Sequence, residues 1–301
     1  MMNFLNTPRS FVPDGELCGI KKEKYQERIL RFKKENPGKK VGTKCPRSAE
    51  QEGFFKMVDN QYGERVKYVV GVRHPINWFE SFYNFRINNV SLVAHDGINF
   101  RTFIQLHFRK IKKDDVYPPA QELIGGCGGL SPPLCTDRAR FSHFLARMGK
   151  TSLSTEEELS LITNGKLARS LSYNSKNKVF FYTVDQLGDK NETRSKLFEK
   201  DLSNFIGIPV PEESVANKKR KPGIEWDEAE QKRRDELKIN ICDDAFEDLR
   251  KILLEEGIKS QQWIIDYFLK SNDVFVSSRD YVVSTLKKWN VDPCLAKIKE
   301  T

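Results

Sequence analysis

Apolar positions along the chain switch between two periods. Over residues 20–36, IKKEKYQERILRFKKEN, they recur at helical spacing among charged residues, and Pro37-Gly38 follows. That pattern predicts an amphipathic helix that stops at the Pro-Gly pair. KKVGTKC then reads as a short strand, and SAEQEGFFKMVDN as a helix with Ser48 placed to cap it. The valine-rich run VKYVVGV, residues 66–72, is nearly continuous in apolar residues, which suits a strand buried on both faces of a parallel sheet. Pro75 stands where the next helix begins, at its first position.

Further along, residues 99–112 read as helix, and residues 113–136, with YPPA, GGCGG and SPPLC, as a long irregular loop. Such loops in compact domains often serve as lids or binding segments. DRARFSHFLARMG and TEEELSLI return to helical spacing, and KVFFYTV (178–184) is a second buried strand. LFEKDLSNFIGIP (197–209) reads as a helix with Gly207 as its C-cap and Pro209 just beyond. ANKKRKPGIEW is a basic loop, and CDDAFEDLRKILLEEG and SQQWIIDYFLKS read as two amphipathic helices. Strands alternating with helices predict an α/β fold in three layers, a parallel central sheet flanked by helices, with a helical C-terminal portion. Residues 1–301 are read as a single domain.

Composition and charge narrow the function. The chain has 301 residues, 38% of them hydrophobic, so it can bury a sizeable core. Its formal net charge of +9 favours an anionic partner without choosing one. The basic residues are interleaved with acidic ones and no recognition motif is present, which argues against nucleic acid. No apolar run is long enough to cross a membrane, and the start, MMNFLNTPRSFVPDGEL, lacks the pattern of a signal peptide. None of the six cysteines (18, 45, 127, 135, 242 and 294) form a CxxC pair, so no metal is expected. Cys127 and Cys135 flank a Gly/Pro loop and could bridge or stand as thiols. The sequons at Asn89 and Asn191 are weak support for a secretory route.

The segment YVVGVRHPINWFESFY carries the chemistry. Ligands of open α/β sheets bind beyond the carboxyl ends of the strands, where Arg73 lies. The helix starting at Pro75 would turn its free N–H groups and positive dipole end to the same place. Guanidinium and helix N-terminus together suit a phosphate, and Ser81 could add a hydroxyl donor. The competing reading is an arginine that closes a strand with a surface salt bridge.

The spacing Arg-x-Pro, with serine eight residues after the arginine behind a valine-rich strand, resembles the 3'-phosphate motif of sulfotransferases that use 3'-phosphoadenosine 5'-phosphosulfate (PAPS). In that family the Arg and Ser hold the 3'-phosphate, so the resemblance assigns Arg73 and Ser81 to it. Tyr83 fits the aromatic that follows. TKCPRS (43–48) resembles the Lys-x-Pro segment of carbohydrate sulfotransferases, whose lysine lies beside the transferred sulfuryl group; Lys44 matches it. KVFFYTVDQL followed by LSNFIGIP resembles the family's late strand, acidic-Leu turn and Phe-Leu-Gly helix. KKRKPG (218–223) resembles the basic loop that closes over the 3'-phosphate and assigns Arg220, Lys221 and Gly223 to cofactor binding. The resemblance covers about residues 40–270, leaving 1–38 as an N-terminal helical segment and 271–301 as a tail.

The resemblance implies sulfuryl transfer from PAPS to a hydroxyl, of a carbohydrate rather than a small phenol or steroid, in a fold like that of P-loop nucleoside-triphosphate hydrolases. The family's usual setting is the Golgi lumen; a cytoplasmic setting stays open. There are departures. His74 replaces an Asn or Asp, and Asn77-Trp78 replaces an acidic-Arg pair. The Lys-x-Gly-Thr loop that cradles the 5'-phosphosulfate should stand well upstream, at or before the start of this chain. KKVGTK (39–44) has Lys40, Gly42 and Thr43 in the right order at the wrong place. Asp14 and Glu16 stand near the family's base position but read as solvated carboxylates, and His95, His107 and His143 as surface or structural groups. Arg138, Arg140 and Arg147 could bind an anionic acceptor or form a solvated face. The alternative to an enzyme is a sulfotransferase-like protein that binds a 3'-phosphorylated nucleotide without transfer.

Overall fold

A computed structural model of the chain describes residues 11–13, 22–38, 40–42, 54–89, 139–149, 177–209 and 227–298. Three strands form a parallel sheet in the order β3 (Lys67–Val72), β4 (Lys178–Thr183) and β5 (Val274–Val276). Side chains of a strand alternate between faces, and β4 divides the core accordingly. Val179 and Phe181 meet α7 (Glu247–Asp266), the turn that follows it and α8 (Arg279–Lys287) through Trp263, Phe268, Val282 and Leu286. Phe180 and Tyr182 meet α5 (Glu192–Ile206) through Phe198, Leu202 and Phe205. Helices therefore cover both faces of the sheet.

A second, two-stranded parallel sheet joins β1 (Phe11–Pro13) to β2 (Lys40–Gly42), with α1 (Lys22–Glu35) between them in the chain. Ile29 of α1 packs against Phe54 and Met57 of α2 (Phe54–Tyr62). β1 is not anticipated by the sequence pattern, because three residues ending in proline carry almost no strand signal.

Several expectations hold. The Pro37-Gly38 stop is observed, with Gly38 at φ 81°. Gly207 closes α5 at φ 69°, its N–H donating to the Ser203 carbonyl. α5 begins earlier than expected, at Glu192, because Asn191 Oδ1 accepts the Arg194 N–H as an N-cap.

Others are corrected. β3 is not buried on both faces: of its six residues only Val72 is buried, and among the described residues β3 is flanked by β4 alone. The central strand β4 is the one buried on both sides. The two helices expected before residue 271 are one helix, α7, running straight through Gly257. A Cβ at Gly257 would lie 3.1 Å from Pro75 Cγ, so this glycine permits close packing and does not end the helix. Residues beyond 270 are more than a helical tail: β5 is a strand of the sheet. The helix expected around residue 141 is short, α4 (Phe141–Ala146). Ser48, residues 99–112, the loop at 113–136, TEEELSLI, Asp14, Glu16, His95 and His107 lie outside the described residues.

Candidate anion site at the β3–α3 turn

The sheet is parallel, so the carboxyl ends of β3, β4 and β5 share one edge. Arg73 leaves that edge directly after Val72, which pairs with Thr183, the last residue of β4. α3 (Pro75–Asn89) starts two residues later. Ile76, Phe79 and Tyr83 turn inward at helical spacing and are buried. Ser81 lies on the other side and is exposed. Arg73 is half-buried and has no hydrogen bond or ion pair to any described residue. The salt-bridge reading of Arg73 therefore finds no partner among the described residues.

His74 is the N-cap of α3. Its Nδ1 accepts the Ile76 N–H at 3.3 Å, and its carbonyl accepts the Trp78 N–H at 2.8 Å. Asn and Asp oxygens make the same kind of bond at helix N-caps. Nε2 lies 3.2 Å from the Val291 carbonyl. A carbonyl only accepts, so Nε2 carries the proton and Nδ1 is left as the acceptor. Burial, the largest influence, holds the His74 pKa below the ordinary histidine value; nearby Arg73 adds to the lowering, while the Val291 bond, Asp292 and Asp185 oppose it. Trp78 explains a second departure: it stacks on Phe82 at 5.3 Å and meets Phe141 edge-on at 5.9 Å. It serves packing where an arginine was expected.

α6 (Glu228–Leu237) packs on α3, and the chain after it is strapped there. Asn84 Nδ2 donates to the Ile239 carbonyl at 2.8 Å, and its Oδ1 accepts the Ile239 N–H at 2.9 Å. Glu80 Oε1 accepts the Ile241 N–H at 3.1 Å. Arg250 of α7 donates through Nη1 to the carbonyls of Ile241 and Asp243, and through Nε to Asp292. A disulfide between Cys242 and Cys294 closes the assembly, with α9 (Pro293–Ile298) on its far side. The basic segment of residues 218–223 precedes α6 in the sequence and lies outside the described residues.

The chain matches no known family model, no curated protein and no solved structure.

Lys40 is accounted for differently. Its Nζ donates to the carbonyls of Ile206 at 2.7 Å and Gly207 at 3.0 Å, at the negative end of α5. Lys67 donates to the Phe205 carbonyl beside them. Lys40 therefore serves a helix terminus, and residues 40–42 are strand rather than a phosphate loop. Arg140 is also engaged, paired with Glu256 at 3.1 Å, and Arg147 lies over the Phe144 ring. Lys44, Arg220, Lys221 and Gly223 lie outside the described residues. A cleft of about 460 Å³ opens at the amino ends of the strands, bounded by Lys67, Lys178, Asp201 and Phe275, away from Arg73. Its lysines are already engaged, Lys67 with Phe205 and Lys178 with Asp273.

Two elements of the site escape the sequence pattern. Neither Asn84 nor Arg250 belongs to a recognisable motif, since each acts on backbone groups brought close only by the fold. The Cys242–Cys294 pairing had no spacing signal, and the two residues are 52 apart.

Proposed function

We propose that this chain binds a 3'-phosphorylated adenine nucleotide at Arg73 and Ser81 and is a sulfotransferase using PAPS, acting on a hydroxyl of a carbohydrate acceptor. One observation carries the reading: an arginine without an ion-pair partner among the described residues stands at the carboxyl end of a parallel strand, beside the start of a helix bearing an exposed serine. A guanidinium in that position can grip a phosphate bidentately. The resemblance of residues 218–223 to the family's basic loop assigns Arg220, Lys221 and Gly223 to the same phosphate. In transfer, the acceptor oxygen would attack sulfur while the bond from sulfur to the bridging phosphate oxygen breaks. Lys44 is our candidate for stabilising the charge on that oxygen. The fold assignment to the P-loop-like class belongs to the same proposal. So does residence in the Golgi lumen, which the Cys242–Cys294 disulfide favours because such bonds persist in oxidising compartments.

A second reading has its own support. Lys40 of KKVGTK is spent on the end of α5, so the described part of that segment, residues 40–42, does not supply the phosphosulfate loop. A protein that holds the nucleotide without transferring sulfate fits that observation.

Thermal unfolding with 3'-phosphoadenosine 5'-phosphate, and with ADP as control, tests the nucleotide site. At about 100 times its dissociation constant the ligand should stabilise the chain by about 2.7 kcal/mol. The effect should require the 3'-phosphate and vanish in Arg73→Ala. A folded protein that shows no shift would sink both readings. Transfer of labelled sulfate to a glycan then separates the enzyme from the binding protein.

A further inference from the structure

We propose that His74 is a positioning residue for the Arg73 anion site, holding the β3–α3 turn in its binding geometry only while its ring is neutral. The inference rests on reading Arg73 as a phosphate ligand, and it adds a regulation to that site.

The geometry demands one protonation state. Pro75, at the first position of α3, has no N–H to offer, so the Ile76 N–H is the first donor the helix presents. His74 Nδ1 accepts it. On the other side of the ring Nε2 donates to the Val291 carbonyl. A protonated imidazole donates from both nitrogens, so protonation would set a donor against the Ile76 N–H and abolish the cap. The positive charge would also sit at the positive end of the helix dipole and next to Arg73. The charged groups facing the ring are Arg73 from its own turn, Asp185 from the turn after β4, and Asp292 from the segment before α9. The two carboxylates oppose the lowering, and burial outweighs them.

The ring is also the link between the turn and the rest of the assembly. His74 is 8% exposed and lies edge-on to Trp289, with ring centroids 6.2 Å apart. The carbonyl of Trp289 and Pro75 both crowd Gly257 of α7. Val291 is followed by Asp292, which Arg250 holds, and by Cys294 in the disulfide. Arg73 is thus one residue from a group fastened to α3, to the 289–294 segment and, through it, to α7. Loss of the Nδ1 bond unfastens the turn from the start of α3 and frees the residue whose guanidinium is to meet the phosphate.

The test uses the full chain as wild type, His74→Asn and His74→Ala. Affinity for 3'-phosphoadenosine 5'-phosphate is measured by calorimetry from pH 8 to pH 5. Asparagine can accept the Ile76 N–H but does not titrate, and the ligand's own phosphate protonation is common to all three proteins. At pH 7.5 His74→Ala should bind about fivefold more weakly, the effect of a lost cap, and His74→Asn should recover most of that loss. As the pH falls through the lowered value at which the folded ring takes up its proton, wild-type affinity should fall at least fivefold relative to His74→Asn. Parallel profiles for wild type and His74→Asn would overturn the proposal. The Ile76 amide, followed by NMR hydrogen exchange, reads the cap without ligand. If wild type fails to bind at pH 7.5, the nucleotide reading is lost. An Ile76 amide that opens on acidification in wild type but not in His74→Asn then still upholds the neutral-ring cap, and equal protection in both overturns it.

Discussion

Arg73 and Lys40 are both cations near strand ends, and their surroundings give them different work. Lys40 ends on two carbonyls of α5, so its removal should be felt as stability. Lys40→Met should cost about 0.5–1 kcal/mol in urea unfolding and leave nucleotide affinity unchanged. Arg73→Ala should do the reverse, with stability within about 0.5 kcal/mol of wild type and the ligand-induced shift abolished. Gly71 presents a third case. It pairs with Tyr182 across β3 and β4, and a Cβ there would lie 2.1 Å from the Tyr182 ring. Tyr182 is buried and cannot swing away, and the same burial raises its phenol pKa. Gly71→Ala should destabilise by about 1–3 kcal/mol, measured by urea denaturation.

At the scale of elements, the chain's local signals were legible where one segment decides its own fate. The Pro37-Gly38 stop, the β4 run and the Gly207 cap need only neighbours in sequence, and all three appear in the structure. Arg73 before Pro75 was legible for the same reason, since strand, turn and helix are contiguous. Signals that depend on partners were not. VKYVVGV reads as doubly buried, but the burial of a strand depends on what packs on its two faces, and only Val72 of β3 is buried. Gly257 looks like a helix breaker until Pro75 is found against it. Gly257→Val should push α7 off the start of α3, costing about 1–3 kcal/mol and weakening nucleotide binding with it. Cys242 and Cys294 carry no local cue; the fold brings their Cα atoms to 5.3 Å. Replacing both by serine should lower stability by about 2–4 kcal/mol in denaturant unfolding.

For the whole molecule, the pH dependence of stability has a definite sign. The folded-state pKa of His74 lies below the ordinary value of about 6.5. Above that value folded and unfolded chains are both neutral at His74, and its contribution is complete. As the pH falls below about 6.5 the unfolded chain takes up a proton that the folded chain refuses, and stability declines until the folded-state value is passed. The slope can reach about 1.4 kcal/mol per pH unit. Urea denaturation at pH 7.5 and 5.5 should show a loss in wild type that is smaller in His74→Asn. Among the described residues no helix is long and apolar enough to cross a membrane.

The bond from His74 to Val291 spans 217 positions of the chain. A ribosome releases the β3–α3 turn long before it makes the segment that holds it. During synthesis the strand, the arginine and the helix can all exist before the clasp that holds their turn. Contacts between parts so distant in sequence also form slowly, and Cys294 must be oxidised onto Cys242 near the same time. Completion of the site is therefore a late event in the life of the chain, reached only after everything between the turn and its distant clasp has been made.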